Sequence, residues 1–261
     1  MRFRDQVVWV TGASSGIGEA LAVAFSREGA KVVLSSRSAA ELERVRAACD
    51  GGADRHLVLP LDLTQYDALP AAVSAVLERF DRFDVLVHSG GVSQRSMVRD
   101  TNLATDRAIM DLNFFGTIAL TKAVLPSMLA RGAGHIVPIS SVVGYVGTPL
   151  RSTYSASKHA LHGFFDSMRA ELAKDGIFIT IVCPGYIRTN VSRNALTGDG
   201  TALGTMDVTH QGAMLPEECA RRIVNAVAKR KEELTVGGKE RWAIPLKRFA
   251  PGLVSRMMRM K

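Results

Sequence analysis

Six short apolar runs, at residues 7–10, 31–35, 56–60, 84–88, 135–140 and 178–183, alternate with longer stretches whose apolar residues recur every three or four positions, as at 16–28 and 38–49. Runs of this length suit buried strands and the intervening period suits amphipathic helices, so the pattern is repeated β-α-β. Each right-handed crossover returns its helix to a face of a parallel sheet. The expected architecture is therefore α/β: a doubly wound parallel sheet in three layers. No Pro/Ser-rich linker, low-complexity tract or internal repeat interrupts the alternation, and 261 residues with 47% hydrophobic content are enough for one sizeable core. A single domain over residues 1–238 is expected, followed by a basic amphipathic tail at 239–261.

Cys49, Cys183 and Cys219 are odd in number and form no CxxC, which points to a reducing compartment rather than a disulfide framework. His159 and His162 share a helical stretch, but no HExxH occurs and no metal centre is expected. The segment before the first apolar run is short and polar, and no apolar run is read as long enough for a membrane span, so the expected location is the cytoplasm. Most of the net charge of +8 lies from Lys239 onward, where seven basic residues face Glu240 alone. A nucleic-acid binder needs a basic stripe across its body, and none is expected as partner.

The first apolar run is followed at once by Thr11-Gly12-Ala13-Ser14-Ser15-Gly16-Ile17-Gly18. Gly12 permits a sharp turn, Gly16 lets backbone approach a pyrophosphate, and Gly18 allows close helix packing, with the helix N-terminus facing the anion. The second run ends in Ser36 and Arg37, where an acidic residue would bind the ribose 2′-hydroxyl of NAD. Ser36 can instead hydrogen-bond a 2′-phosphate, and Arg37 can pair with it. NADP(H) is the expected cofactor, the alternative for Arg37 being a solvated charge at a helix start.

Tyr154-Ser155-Ala156-Ser157-Lys158 places a phenol and an ammonium on one helical face. A phenol titrating near ~10 is a poor base at neutral pH, so the Lys158 charge and that of an oxidised nicotinamide are needed to stabilise the tyrosinate. Ser141 closes the fifth run, at the carboxyl edge where sheet ligands bind, and can donate to a substrate oxygen.

The TGxxxGxG spacing, Ser141, Tyr154, Lys158 and Pro184-Gly185, in this order, resemble the short-chain dehydrogenase/reductase family, and the resemblance covers most of the chain. It implies a Rossmann-like fold and hydride transfer between NADP(H) and a carbonyl or secondary alcohol, with Tyr154 as general acid/base. The resemblance adds Asn113, which would help hold a water joining Lys158 to solvent, and gives Lys158 a second role on the nicotinamide ribose. It implies cofactor contacts by Ser14, Ser15 and Ile17 beside the glycines. Asp62 and Leu63 would meet adenine, and Ser89 and Gly90 would line the ribose. Ile187 backbone and the Thr189 hydroxyl would hold the carboxamide above the Pro184-Gly185 turn. The sequence departs at His88-Ser89-Gly90-Gly91, where the family usually has Asn-Asn-Ala-Gly; small residues are kept but an Asn amide is lost. A catalytically silent NADP(H)-binding sensor or scaffold is the alternative to an enzyme, although it would usually lose part of the Ser-Tyr-Lys set.

The stretch 189–215, with Gly198, Gly200, Gly204 and Gly212, reads as a long loop, either a lid or an irregular connection. The substrate is expected to be bounded by residues 92–96 and 142–150, by Tyr186 and by the lid, with Tyr145, Val146, Leu150 and Met206 making a largely apolar wall. The 91–96 segment and the tail resemble the branch containing membrane-associated reductases of steroid- or retinoid-like lipids, implying a lipophilic substrate. The tail mixes Trp242, Phe249, Leu253 and Met257 with cations, which suits either an anionic membrane surface or a sister subunit. The family resemblance also implies a homodimer or homotetramer built on long helices beginning near Thr105 and Ser152.

Overall fold

The computed structural model describes residues 1–205 and 213–259. The first unit is β1 (Val7–Thr11), α1 (Gly16–Arg27) and β2 (Lys31–Ser35), followed by α2 (Ala39–Ala47), β3 (Leu57–Val58) and α3 (Leu69–Phe80). The second unit runs through β4 (Val85–His88), α4 (Leu103–Met110), α5 (Gly116–Arg131), β5 (Gly134–Pro138), α6 (Ser152–Glu171), β6 (Ile177–Ile179) and β7 (Ile181–Pro184). It closes with α7 (Pro216–Ala228) and β8 (Glu233–Val236), after which α8 (Ala243–Phe249) and α9 (Pro251–Met258) complete the chain. Six strands form a parallel sheet in the order β3-β2-β1-β4-β5-β6, and β7 pairs in parallel with β8. The sheet is Rossmann-like, as expected.

The continuous apolar sequence of β1 is explained by burial on both faces. Val8 and Val10 point into one core with Leu21 and Phe25 of α1 and Ile223 of α7. Val7 and Trp9 point into the other with Val76 of α3, Leu120 of α5 and Phe165 of α6. Trp9 stacks on Phe83 at 5.6 Å, and its ring N–H donates to Ser35 Oγ at 2.8 Å, so the buried indole loses no hydrogen bond.

Several elements differ from their sequence-based bounds for local reasons. The run at 56–60 contributes only Leu57–Val58 as strand: at its start the His56 ring, not backbone, receives the Val32 amide at 3.1 Å, and at its end Pro60 has no amide to continue the ladder. The run at 178–183 is split at Thr180, whose hydroxyl bonds His135 and the Lys231 carbonyl. β8 and α7 were not anticipated: Glu233-Leu-Thr-Val is a short segment that becomes a strand because β7 offers it an edge. Contrary to the reading that no apolar run reaches span length, the helical stretch Leu103–Arg131 does so by length and hydropathy. Its Ile109, Asn113, Leu120, Thr121, Val124 and Met128 are nevertheless buried in the domain.

Strand registers set Thr11 beside Ser35 and His88, and His88 beside Pro138. The segments leaving β1, β2, β4 and β5 therefore emerge at one edge of the sheet. Between β1 and β4 the strand order reverses, which opens the crevice where such sheets take ligands.

Candidate active site

A cleft of about 400 Å³ occupies this edge. Gly12, Ser14, Ser15, Gly16 and Ile17 form its floor at the start of α1. Gly12 has φ +65° and a Cβ there would stand 2.7 Å from the Gly90 amide nitrogen, so the turn and the close approach both demand glycine. Gly18 does not line the cleft; a Cβ on it would lie 2.1 Å from the Gly12 carbonyl oxygen, which makes it a packing residue for the turn. Ser15 caps α1 with extended backbone and makes no side-chain capping bond, leaving its hydroxyl beside the helix N-terminus.

Ser36 and Arg37 line one end of the cleft with Asp62 and Leu63. Ser36 Oγ is buried yet has no hydrogen-bond partner among the described residues, and Arg37 makes no ion pair among them. Burial works against ionisation of Asp62, but hydrogen bonds from Thr64 and the Arg37 charge outweigh it and hold the carboxyl below its ordinary range. An orphaned hydroxyl, a free helix N-terminus and a glycine-lined floor fit a dinucleotide phosphate chain.

Ser89 and Gly90 line the middle of the cleft. The His88 departure has a structural reason: its Nε2 shares a 2.8 Å hydrogen bond with Thr121 Oγ1, and its ring lies against Phe165. Burial and the nearby Lys158 charge push its pKa down to about 3, so it is a neutral core residue. Gly91 provides clearance, since a Cβ there would stand 2.9 Å from Asn113 Oδ1.

Tyr154 and Ser141 line both this cleft and a second cavity, of about 410 Å³. Burial lifts the Tyr154 phenol above its ordinary range, while the neighbouring Ser141 hydroxyl and the charges of Arg151 and Arg95 oppose that rise. Ser141 Oγ also donates to the Pro184 carbonyl at 3.2 Å, and Ser140 bonds the Lys158 carbonyl and the His162 ring. Lys158 is buried beneath Tyr154, its ammonium 5.7 Å from the phenol ring centroid and donating to the Ile139 carbonyl at 2.8 Å. Lys158 is thus held by Ile139 and reaches the phenol only through space.

Burial lowers the Lys158 pKa to about 8. The unfolded chain therefore holds more protons between about pH 8 and the ordinary lysine value near ~10.4, and stability of the cofactor-free protein rises with pH across that window. Lys158→Met should raise cofactor-free stability at pH 7 by up to about 3 kcal/mol, with the gain vanishing above pH ~10.5. Denaturant unfolding at several pH values checks this; a pH-independent difference would assign the effect to packing.

Asn113 lies in a π-helical turn, Asp111–Phe115, between α4 and α5. Its amide holds Val92 at both main-chain atoms, 2.8 and 2.9 Å, and donates to Ser157 Oγ at 3.1 Å. The side chain is thus committed to the loop beside Lys158 and does not line the cleft. Pro184, Gly185, Ile187 and Thr189 complete the cleft's far wall.

The second cavity takes in part of the expected substrate wall. Val142, Val143 and Val146 line it, but Tyr145 turns away to lie tilted against His162 and bond Glu233, and Leu150 does not reach it. Met206 lies outside the described residues, as does Gly212. Trp242, Leu246, Val254, Met257 and Met258 form the opposite wall. The tail thus folds back over the site, with Val254 buried, a placement that its mixture of cations and aromatics did not disclose. Arg95, within the expected boundary at 92–96, lines this cavity, and so does Arg151, which was not anticipated. The loop after Thr189 is tied down by backbone bonds, including Arg95 to Leu196 at 2.8 Å and Asn102 to Gly198 at 2.9 Å.

Residues 6–199 match the family model of the short chain dehydrogenases. The chain is 44% identical over 261 residues to the dehydrogenase/reductase SDR family protein 7-like of Drosophila melanogaster, covering 97% of this chain and 80% of that protein. It is also 44% identical over 237 residues to the human dehydrogenase/reductase SDR family member 7, covering 89% and 70%. A crystal structure of a short-chain dehydrogenase from Streptomyces avermitilis superimposes with a TM-score of 0.82 at 32% identity, covering 98% of this chain and 94% of that one. This protein therefore belongs to the short-chain dehydrogenase/reductase family of oxidoreductases, which use a nicotinamide cofactor.

Proposed function

We propose that the chain is an NADP(H)-dependent reductase or dehydrogenase of an apolar carbonyl or secondary alcohol, with Tyr154 as general acid/base. The observation that carries this reading is the position of Tyr154 and Ser141, which border both the glycine-floored cleft and the apolar cavity. Gly12, Ser14, Ser15, Gly16 and Ile17 would hold the pyrophosphate, Ser36 and Arg37 the 2′-phosphate, and Asp62 and Leu63 the adenine. Ser89 and Gly90 would border the ribose, and Pro184, Gly185, Ile187 and Thr189 the nicotinamide end. When bound, the dinucleotide supplies or accepts hydride. Ser141 orients the substrate oxygen by hydrogen bonding, and the Tyr154 hydroxyl gives that oxygen its proton or takes it back. Lys158 places a cation below the phenol, which favours its ionised form in the transition state. Asn113 fixes the Gly91–Val92 loop beside that ammonium, which supports its part in proton delivery.

A panel of aliphatic, aromatic and long-chain carbonyls, assayed for oxidation of NADPH and of NADH, tests the reading. Turnover of apolar carbonyls with NADPH is expected; no consumption of either cofactor across the panel would remove it. In the same reading the protein is cytoplasmic, and the outward face of α8 and α9 meets an anionic membrane. Exposed Phe249 and Leu253 among Lys247, Arg248 and Arg256 support this contact. Retention on anionic phospholipid vesicles at low but not high salt is expected, and absence of retention would discard the contact. Exposed Leu103 of α4, Phe115 of the π-helical turn and Leu129 of α5 support assembly into a homodimer or homotetramer.

A further inference from the structure

Glu240 is the one carboxylate in the tail, yet it pairs with no cation among the described residues. Its Oε1 instead accepts hydrogen bonds from the Tyr186 and Gly238 amides, each at 2.8 Å. Two charge-assisted bonds to main chain hold geometry better than a solvated ion pair. The neighbouring backbone is shaped around this oxygen: a Cβ on Gly185 would stand 1.9 Å from it, and one on Gly237 2.5 Å. For Gly185, all three of the nearest obstructing atoms belong to the Glu240 side chain.

The bonded segments have different duties. Pro184, Gly185 and Ile187 border the cofactor cleft, whereas Tyr186, Glu240, Trp242 and Leu246 border the apolar cavity. The Glu240 side chain therefore fastens the start of the tail to the turn that separates the two spaces. We propose that Glu240 is a positioning residue that clamps α8 and α9 against the Gly185–Tyr186 turn and so sets which apolar substrates the cavity accepts. The selectivity half of this proposal rests on the apolar-carbonyl reading above; the clamp itself does not.

Full-length wild type, Glu240→Ala, Glu240→Gln, Gly185→Ala and the Gly185→Ala/Glu240→Ala double variant test it. Without any ligand, amide exchange across residues 239–258 should quicken at least about tenfold in Glu240→Ala. It should change little in Glu240→Gln, which keeps an acceptor oxygen. With substrate, Glu240→Ala should raise KM for long apolar ketones about tenfold or more while kcat for a small ketone stays within about twofold. Gly185→Ala should lower the thermal midpoint, and removing the Glu240 carboxylate in the double variant should restore most of that loss. Unchanged exchange in Glu240→Ala, or a Gly185→Ala defect that Glu240→Ala does not relieve, would overturn the clamp. An equal KM rise for small and long ketones would overturn its role in selectivity. If the wild type turns over no carbonyl, the functional reading and its selectivity extension fall together, while exchange and rescue still decide the clamp.

Discussion

Replacing Tyr154 by Phe is expected to lower carbonyl turnover by about a thousandfold or more, within the range general acid/base groups contribute, while leaving cofactor affinity within a few-fold. The phenylalanine ring fills the same space between the cleft and the apolar cavity, so the change removes one hydroxyl and little else. The raised phenol pKa gives the proposal a direction in pH. Below its pKa the group is protonated and can donate, so carbonyl reduction should stay level through neutral pH. Alcohol oxidation needs the tyrosinate and should quicken as pH rises. Steady-state rates in both directions, with cofactor titration of the variant, check the claim; turnover near the wild-type rate in the Phe variant would sink it.

The parts of the site legible in the sequence are those whose geometry is local. Gly12 to Gly18 follow a strand and open a helix, so their roles are fixed within one turn. Tyr154 and Lys158 share a helix face through their spacing alone, and Ser141 stands just past a strand end. Where the partner is distant, sequence reasoning falls short. The spacing aligned Lys158 with Tyr154 but could not tell that its ammonium would be claimed by Ile139 on another element. His88 looked like a loss of polar function because its partner Thr121 stands 33 residues away, on α5. The tail was the largest omission. Its sequence is equally compatible with several surfaces, and the inward turn of Val254 and Leu246 depends on contacts around Tyr186 and Gly185 that no periodicity encodes. β8 is of the same kind, since a four-residue strand between charged residues on one side and Gly237-Gly238 on the other is stabilised by the edge it joins.

Arg37→Glu should raise KM for NADPH by roughly a hundredfold or more, as expected for losing a charged pair and placing a like charge at the same point, and should improve the use of NADH. The present arginine is exposed and its charge already acts on Asp62, so the change leaves the core untouched. The carboxylate introduced would repel a 2′-phosphate yet could accept from a ribose 2′-hydroxyl, which reverses the preference rather than merely weakening binding. Without the Arg37 cation, the Asp62 carboxyl should also titrate higher than in the wild type. Ser36→Ala supplies an internal control of different size. Because its buried hydroxyl has no partner among the described residues, its removal should not lower the thermal midpoint of the cofactor-free protein, while NADPH affinity should fall several-fold. The ratio of kcat/KM with NADPH to that with NADH, measured on one substrate for all three proteins, separates the effects. If Arg37→Glu still prefers NADPH, the 2′-phosphate is held elsewhere in the cleft, and Arg37 is a solvated charge at the start of α2.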